Sequence, residues 1–205
     1  MKDDEHLGPL WRVQGVGGSF TNQENIYFRH LKDIGRDLSS AKVLEIGPGN
    51  GDFAAELIKL HNITDYTFLD IERNIAPAIK NVTEKLRHRR PPYTIHDYYT
   101  YPDAKIKGVP SQKFETIMKN KFDLVVSNVC IPETPVKYRQ RLLNNLLPRA
   151  GAAMIIGQLT SSSTIPDDGY GEWIKNLFES SFDKTSCTLT DYKGCYAWIG
   201  YNYSN

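Results

Sequence analysis

The sequence predicts an α/β protein: a mostly parallel sheet with helices on both faces, closed at its C-terminal end by an antiparallel hairpin. Three observations carry this. Short apolar runs alternate with helical apolar stripes along most of the 205 residues, and that alternation implies parallel strands joined by crossover helices. A glycine-rich turn, Gly47-Pro48-Gly49-Asn50-Gly51, joins an apolar run to a helical pattern, as where a strand feeds a helix beside a ligand. Residues 185–190 and 195–202 both read as strands, with only Asp191-Tyr192-Lys193-Gly194 between them. So short a link excludes a parallel crossover and leaves only a hairpin.

The strand candidates are 42–47, 66–70, 93–96, 122–127 and 152–157, ahead of the hairpin pair. Each is a short apolar run, the length of a buried strand. Between them, three segments repeat apolar pairs at i, i+4: Phe53, Ala54, Leu57 and Ile58; Leu142, Leu143, Leu146 and Leu147; Trp173, Ile174, Leu177 and Phe178. Such pairs form one buried stripe per helix, suited to packing on a sheet. A further helix is expected over 74–90. The stretch 101–113, with two prolines, a glycine and three lysines, reads as a surface loop. No repeat or low-complexity segment interrupts the chain, and its length suits a single domain, 1–205.

Composition narrows the class. A hydrophobic fraction of 40% and a charged fraction of 24% are ordinary for a soluble globular protein. The net charge of +1 gives no general attraction to nucleic acid or an anionic membrane. Cys130, Cys187 and Cys195 are odd in number and lack metal-ligand spacing, which favours free thiols in a reducing, cytoplasmic setting. The charged start Met1-Lys2-Asp3-Asp4-Glu5-His6 is not a signal peptide, and no apolar run approaches the ~20 residues that span a bilayer.

The glycine spacing points to the ligand. A dinucleotide fingerprint is Gly-x-Gly-x-x-Gly; here the third glycine comes one residue early and Asp52 takes the dinucleotide position, while Glu45 lies two residues before Gly47. This Glu-x-Gly-x-Gly-x-Gly pattern resembles the first motif of class I S-adenosylmethionine-dependent methyltransferases. The mostly parallel sheet with a C-terminal hairpin resembles the Rossmann-like three-layer sandwich of that class, whose seven-stranded sheet has a reversed last strand. The resemblance implies an N-terminal helical lid over 1–40 and a cofactor-binding core over 41–205.

In open parallel sheets, ligands bind outside the carboxyl ends of the strands. The first strand ends in Gly47, Gly49 and Gly51, whose amides can face the cofactor's amino-acid end. Glu45 can orient the turn or receive the cofactor's ammonium through water. Asp70 ends the second strand, at the distance expected for the acid that takes both ribose hydroxyls; its plainer alternative is to cap the helix that follows. Ile71 would pack on the adenine. Beyond the expected third strand, His96-Asp97-Tyr98 follows, where the resemblance implies an acid for the adenine amine: Asp97 fits, and Tyr98 could close over the ring. The alternative is an ordinary polar loop. The fourth strand ends at Ser127-Asn128, facing both the methyl group and the acceptor.

Fold does not fix the acceptor. The Asn/Asp-Pro-Pro-aromatic motif of amide N-methyltransferases is missing after strand four. Metal-dependent catechol-type enzymes carry a carboxylate where this chain has Asn128, a poor ligand for a hard cation, so no metal is expected. The run Phe122-Asp123-Leu124-Val125-Val126-Ser127-Asn128, with Glu133 five residues beyond, resembles the sugar O-methyltransferase family, as does the segment from Phe20 to Leu31. Asn50 and Ile71 depart from that pattern, which has an aromatic residue and Leu there. The resemblance implies a sugar or glycan acceptor, such as a deoxyhexose, and methyl transfer to a hydroxyl needs a positioned base. Glu133 is the first candidate and Asp168 the second, with Asp167, His96 and His30 behind them; the plainer alternatives are that Glu133 caps the helix beginning near Pro135 and that Asp167-Asp168 form a solvated turn before Gly169. The hydroxyl-rich loop 158–164, with Tyr170 and Trp173 beyond it, would suit a sugar, although Trp173 also has core spacing.

The basic run Lys85-Leu86-Arg87-His88-Arg89-Arg90 could grip phosphates. It also falls where a helix should end, a favourable place for cations, and with no aromatics interleaved it argues against nucleic acid. Methylation of another small molecule or of RNA, and a non-catalytic cofactor-binding partner of a larger transferase, are the alternative readings.

Overall fold

A computed structural model describes residues 37–86, 105–128, 130–158, 169–189 and 195–203. In chain order the elements are β1 (Lys42–Ile46), α1 (Asp52–His61), β2 (Asp65–Asp70), α2 (Glu72–Leu86), β3 (Ile106–Pro110), β4 (Leu124–Asn128), α3 (Cys130–Glu133), α4 (Val136–Leu146), β5 (Ala152–Gln158), α5 (Tyr170–Ser181), β6 (Lys184–Leu189) and β7 (Cys195–Tyr201). Short 3-10 turns, Ser111–Thr116 and Leu147–Arg149, follow β3 and α4.

The seven strands form one sheet in the order β3-β2-β1-β4-β5-β7-β6. The pairs from β3 to β5 are parallel. β7 runs antiparallel between β5 and β6, which is the reversed last strand expected from the hairpin.

Alternation along each strand divides the core in two. Val43, Tyr66, Phe68, Val126 and Met154 face α1 and α2, meeting Phe53, Leu57, Ile58, Ala78 and Val82. Leu44, Ile46, Leu69, Val125 and Ile155 face the other way, toward Leu142, Leu143 and Leu146 of α4 and Ile174 and Phe178 of α5. All three apolar stripes read from the sequence are therefore buried on the sheet, giving three layers.

One expectation fails. The strand paired with β2 is Ile106–Pro110, with Phe68 opposite Gly108 and Asp70 opposite Pro110, inside the stretch expected to be a surface loop. The reason is its place at the sheet's edge. Glycine and proline weaken a central strand, but an edge strand needs only one row of hydrogen bonds. The alternating burial of Ile106, Gly108 and Pro110 against half-buried Lys107 and Val109 marks a strand with one covered face. The expected strand 93–96, residues 1–36 of the expected lid 1–40 and the basic residues 87–90 lie outside the described residues.

Candidate functional site

The carboxyl ends of β1, β2, β3, β4 and β5 lie along one edge of the sheet, and most candidate residues collect there. The turn after β1 holds Gly47, Gly49 and Gly51 at φ +72°, +56° and +83°, a region that side-chain-bearing residues rarely enter. Two of these glycines also serve internal packing. A Cβ on Gly47 would meet Sγ of Cys130 at 2.6 Å, and one on Gly51 would meet the Ala78 carbonyl at 2.8 Å. Gly49 is exposed.

Glu45 is buried on the α1–α2 side, where Tyr66 Oη donates to its Oε2 at 3.0 Å. Burial pushes its carboxyl up to about 8; the Tyr66 hydrogen bond opposes this and the nearby Asp70 charge adds to it. Asp70 is half-buried at the end of β2. Its Oδ1 accepts from the Ile71 amide at 2.6 Å and from Asn74 Nδ2 at 3.1 Å, leaving Oδ2 without a partner among the described residues. Desolvation raises its pKa, against those hydrogen bonds and Arg73. One oxygen thus ties the residue before the helix and the Asn74 side chain in its first turn, without the bond to a first-turn helix amide that a cap would make, while the other has no partner among the described residues. Ile71 beside it is 37% exposed, unusual for an isoleucine at a structured strand end.

Ser127 is buried, and its hydroxyl donates to the Ile46 carbonyl at 3.0 Å, tying β4 to the end of β1. Asn128 is half-buried; its Oδ1 is a buried acceptor that no described residue answers. Glu133 is the last residue of α3. That short helix is wedged in place: Cys130 lies against Gly47, and Pro132 Cγ would stand 2.5 Å from a Cβ on Gly157. Arg139 donates through Nη1 to the Pro132 carbonyl at 3.2 Å. Its buried guanidinium lies 4.8 Å from the Tyr170 ring centroid and 5.9 Å from that of Trp173. The two aromatics considered for a sugar face are therefore packed on Arg139, and Tyr170 is buried.

His96, Asp97, Tyr98, Asp167, Asp168 and His30 lie outside the described residues. Among the described residues the strand beside β2 is β3, and the segment leaving it is Ser111–Thr116. Two residues at this edge escaped the sequence reading. Tyr138 of α4 donates to the Ser111 carbonyl at 3.2 Å and meets Phe114 edge-on at 5.0 Å. Its hydroxyl is pushed up to about 12 by burial, then by Cys130 and Asp70. Cys130 is the other. Neither had a motif to mark it; only the topology brings α4 and α3 to the turn. Among the described residues no group of three or more His, Cys, Asp or Glu is placed to hold a metal ion, and no helix is long and apolar enough to cross a membrane.

No protein-family model and no curated protein matches the chain in sequence. Many solved structures match its fold. An O-methyltransferase family protein from Burkholderia thailandensis superposes with a TM-score of 0.60 at 11% identity, over 96% of this chain; the chain spans only 57% of that protein. Magnesium protoporphyrin IX methyltransferase from Synechocystis, solved with bound S-adenosylmethionine, gives 0.56 at 15% identity, covering 96% of this chain and 85% of that one. The methyltransferase domain of a bacterial Hen1 protein gives 0.56 at 10% identity, over 88% and 97%. The strand order and these superpositions together establish that the chain has the class I methyltransferase fold, a Rossmann-like α/β sandwich with an antiparallel C-terminal hairpin.

Proposed function

We propose that this protein is an S-adenosylmethionine-dependent O-methyltransferase acting on a hydroxyl of a sugar or glycan. One observation carries the cofactor half: the left-handed glycine turn and the half-buried Asp70, with one oxygen unpaired among the described residues, end neighbouring strands at the carboxyl edge. This suits a ligand with an amino-acid end, a ribose and a base. The turn amides would take the carboxylate end, Asp70 Oδ2 a ribose hydroxyl, and exposed Ile71 the adenine face. Glu45, poised about 8, would lose its proton beside a cationic ligand and stabilise it. Ser111 and the turn that follows β3 would meet the base.

Bound cofactor supplies a methyl group already activated on a sulfonium. The chain's part is then to align the acceptor oxygen with it and to take a proton. Asn128, with its unanswered Oδ1, would accept from the acceptor hydroxyl or the cofactor, and Glu133 on the wedged helix α3 would receive the proton as the oxygen attacks. Asp168 is the second candidate for that role. The sugar assignment rests on the resemblance of the 122–133 segment.

The test is a methyl-transfer assay on deoxyhexose and pentose glycosides, with an RNA and a phenol as competing acceptors. Transfer to a glycoside alone supports the reading. Transfer only to RNA or to the phenol discards the sugar, and failure to bind either form of the cofactor discards the enzyme.

A further inference from the structure

Helix α2 touches both halves of the cradle through two asparagines on one face. Asn74, in its first turn, donates to Asp70 Oδ1 at 3.1 Å. Asn81 lies seven residues on, two turns and about 10 Å along the axis. Its Nδ2 donates to the backbone carbonyl of Asn50 at 2.8 Å and to Asp52 Oδ1 at 2.5 Å. Lys85 Nζ reaches the same Oδ1. The other Asp52 oxygen accepts from Asn50 Nδ2 at 2.7 Å, and the Asp52 amide donates back to Asn50 Oδ1 at 3.1 Å. The Asp52 carboxylate is almost fully buried, so the donors from Asn81, Asn50 and Lys85 that reach it compensate a desolvated charge.

The turn needs such a clamp. Three glycines at positive φ leave it with few side chains to fix it, and glycine loses the most conformational freedom on ordering. A turn left loose would have to be ordered by its ligand, at a cost in affinity. Between the two asparagines, Ala78 lies close enough to Gly51 that no side chain fits there, so the turn rests directly on the helix that starts beside Asp70.

We propose that Asn81 is a positioning residue: it sets the glycine turn to receive the amino-acid end of S-adenosylmethionine, with Lys85 steadying Asp52. The inference rests on the methyltransferase reading above. It also gives Lys85, the first residue of the basic run, a structural task.

Two probes separate this role from a general loss of stability. S-adenosylhomocysteine carries the amino-acid end, and 5′-methylthioadenosine lacks it while keeping ribose and adenine. Dissociation constants for both are measured on wild type, Asn81→Ala and Lys85→Met, below the melting temperature of each. Asn81→Ala should weaken S-adenosylhomocysteine by about tenfold or more, the scale of one or two lost hydrogen bonds to charged or backbone groups, and leave 5′-methylthioadenosine within about twofold. Lys85→Met should shift the ratio the same way by less. If Asn81→Ala does not fold, Asn81→Ser and Lys85→Met carry the comparison. Equal weakening of both ligands, or no change in either, overturns the positioning role. A wild-type chain that binds neither ligand overturns the methyltransferase reading and the inference with it.

Discussion

Tyr66 and Glu45 share a hydrogen bond of 3.0 Å in the layer between the sheet and helices α1 and α2, with both side chains shielded from solvent. The pairing crosses from β2 to β1 two residues before the glycine turn, so the acid that opens the motif is anchored from the neighbouring strand. Its proton is held up to about 8, chiefly by burial.

That proton makes stability depend on pH. Between the ordinary carboxylate range and about 8, the folded chain keeps a proton that the unfolded chain has released. Stability from this group therefore falls as pH rises through the window and levels off above about 8. Glu45→Gln removes the titration. Denaturant unfolding from pH 5 to 8.5 should show wild type losing on the order of a few kcal/mol relative to Glu45→Gln. Parallel curves for the two proteins would show that Glu45 ionises normally.

On the proposed reading Asp70 has two jobs, one to the chain and one to a ribose, that one substitution can separate. Asp70→Asn keeps an acceptor for the Ile71 amide and Asn74 but removes the charge offered to a ribose. S-adenosylhomocysteine should bind more weakly by about 1.5–3 kcal/mol, the range for hydrogen bonds to charged groups, with little change in melting. Asn74→Ala should do the reverse. A melting loss in Asp70→Asn without an affinity loss would leave Asp70 a purely structural residue.

The seat of helix α3 is tested at Gly157. An added Cβ meets Pro132 Cγ at 2.5 Å, and overpacking of this kind costs about 1–3 kcal/mol. Gly157→Ala should lower stability by that amount, and Pro132→Ala in the same chain should recover part of it, a coupling measured by a double-mutant cycle. Additive effects would place the strain elsewhere.

Glu133 is tested by turnover. Glu133→Gln should leave affinity for S-adenosylhomocysteine nearly intact and lower methyl transfer by roughly 10²–10⁴, the usual contribution of a general base. Wild-type rates should rise with pH to a plateau and persist in excess chelator if Asn128 replaces, as the sequence resemblance implies, the carboxylate of metal-dependent catechol-type enzymes. Full activity in the mutant would move the role to Asp168; loss in chelator restored by magnesium would sink the metal-free mechanism.

Periodicity and turn length made the sheet and its helices legible. Leu142, Leu143 and Leu146, or Ile174 and Phe178, repeat at a spacing that only one buried face explains, and the Asp191–Gly194 link forces a hairpin. β3 was not legible because its cue is positional: Gly108 and Pro110 signal a loop unless the strand is known to lie at an edge. The site divides the same way. Glu45, the glycines and Asp70 follow one another in a short motif. Cys130, Tyr138 and Arg139 reach the same edge only through the β4–β1 pairing and the packing of α4, and Asn81 only through the approach of Ala78 to Gly51. Local pattern carries no record of contacts made across thirty or eighty residues.

The insertion of β7 between β5 and β6 has a consequence for synthesis. As the chain leaves the ribosome, the strand Lys184–Leu189 emerges before Cys195–Tyr201, yet among the described residues its partner in the sheet is that later strand. Until residues 195–201 appear, the outer edge of β5 from Ala152 to Gln158, rich in alanine, methionine and isoleucine, stays open. An unpaired apolar edge of this kind is a template for misassembly. A nascent chain stalled before Cys195 should therefore recruit chaperones, and one released after Tyr201 should not.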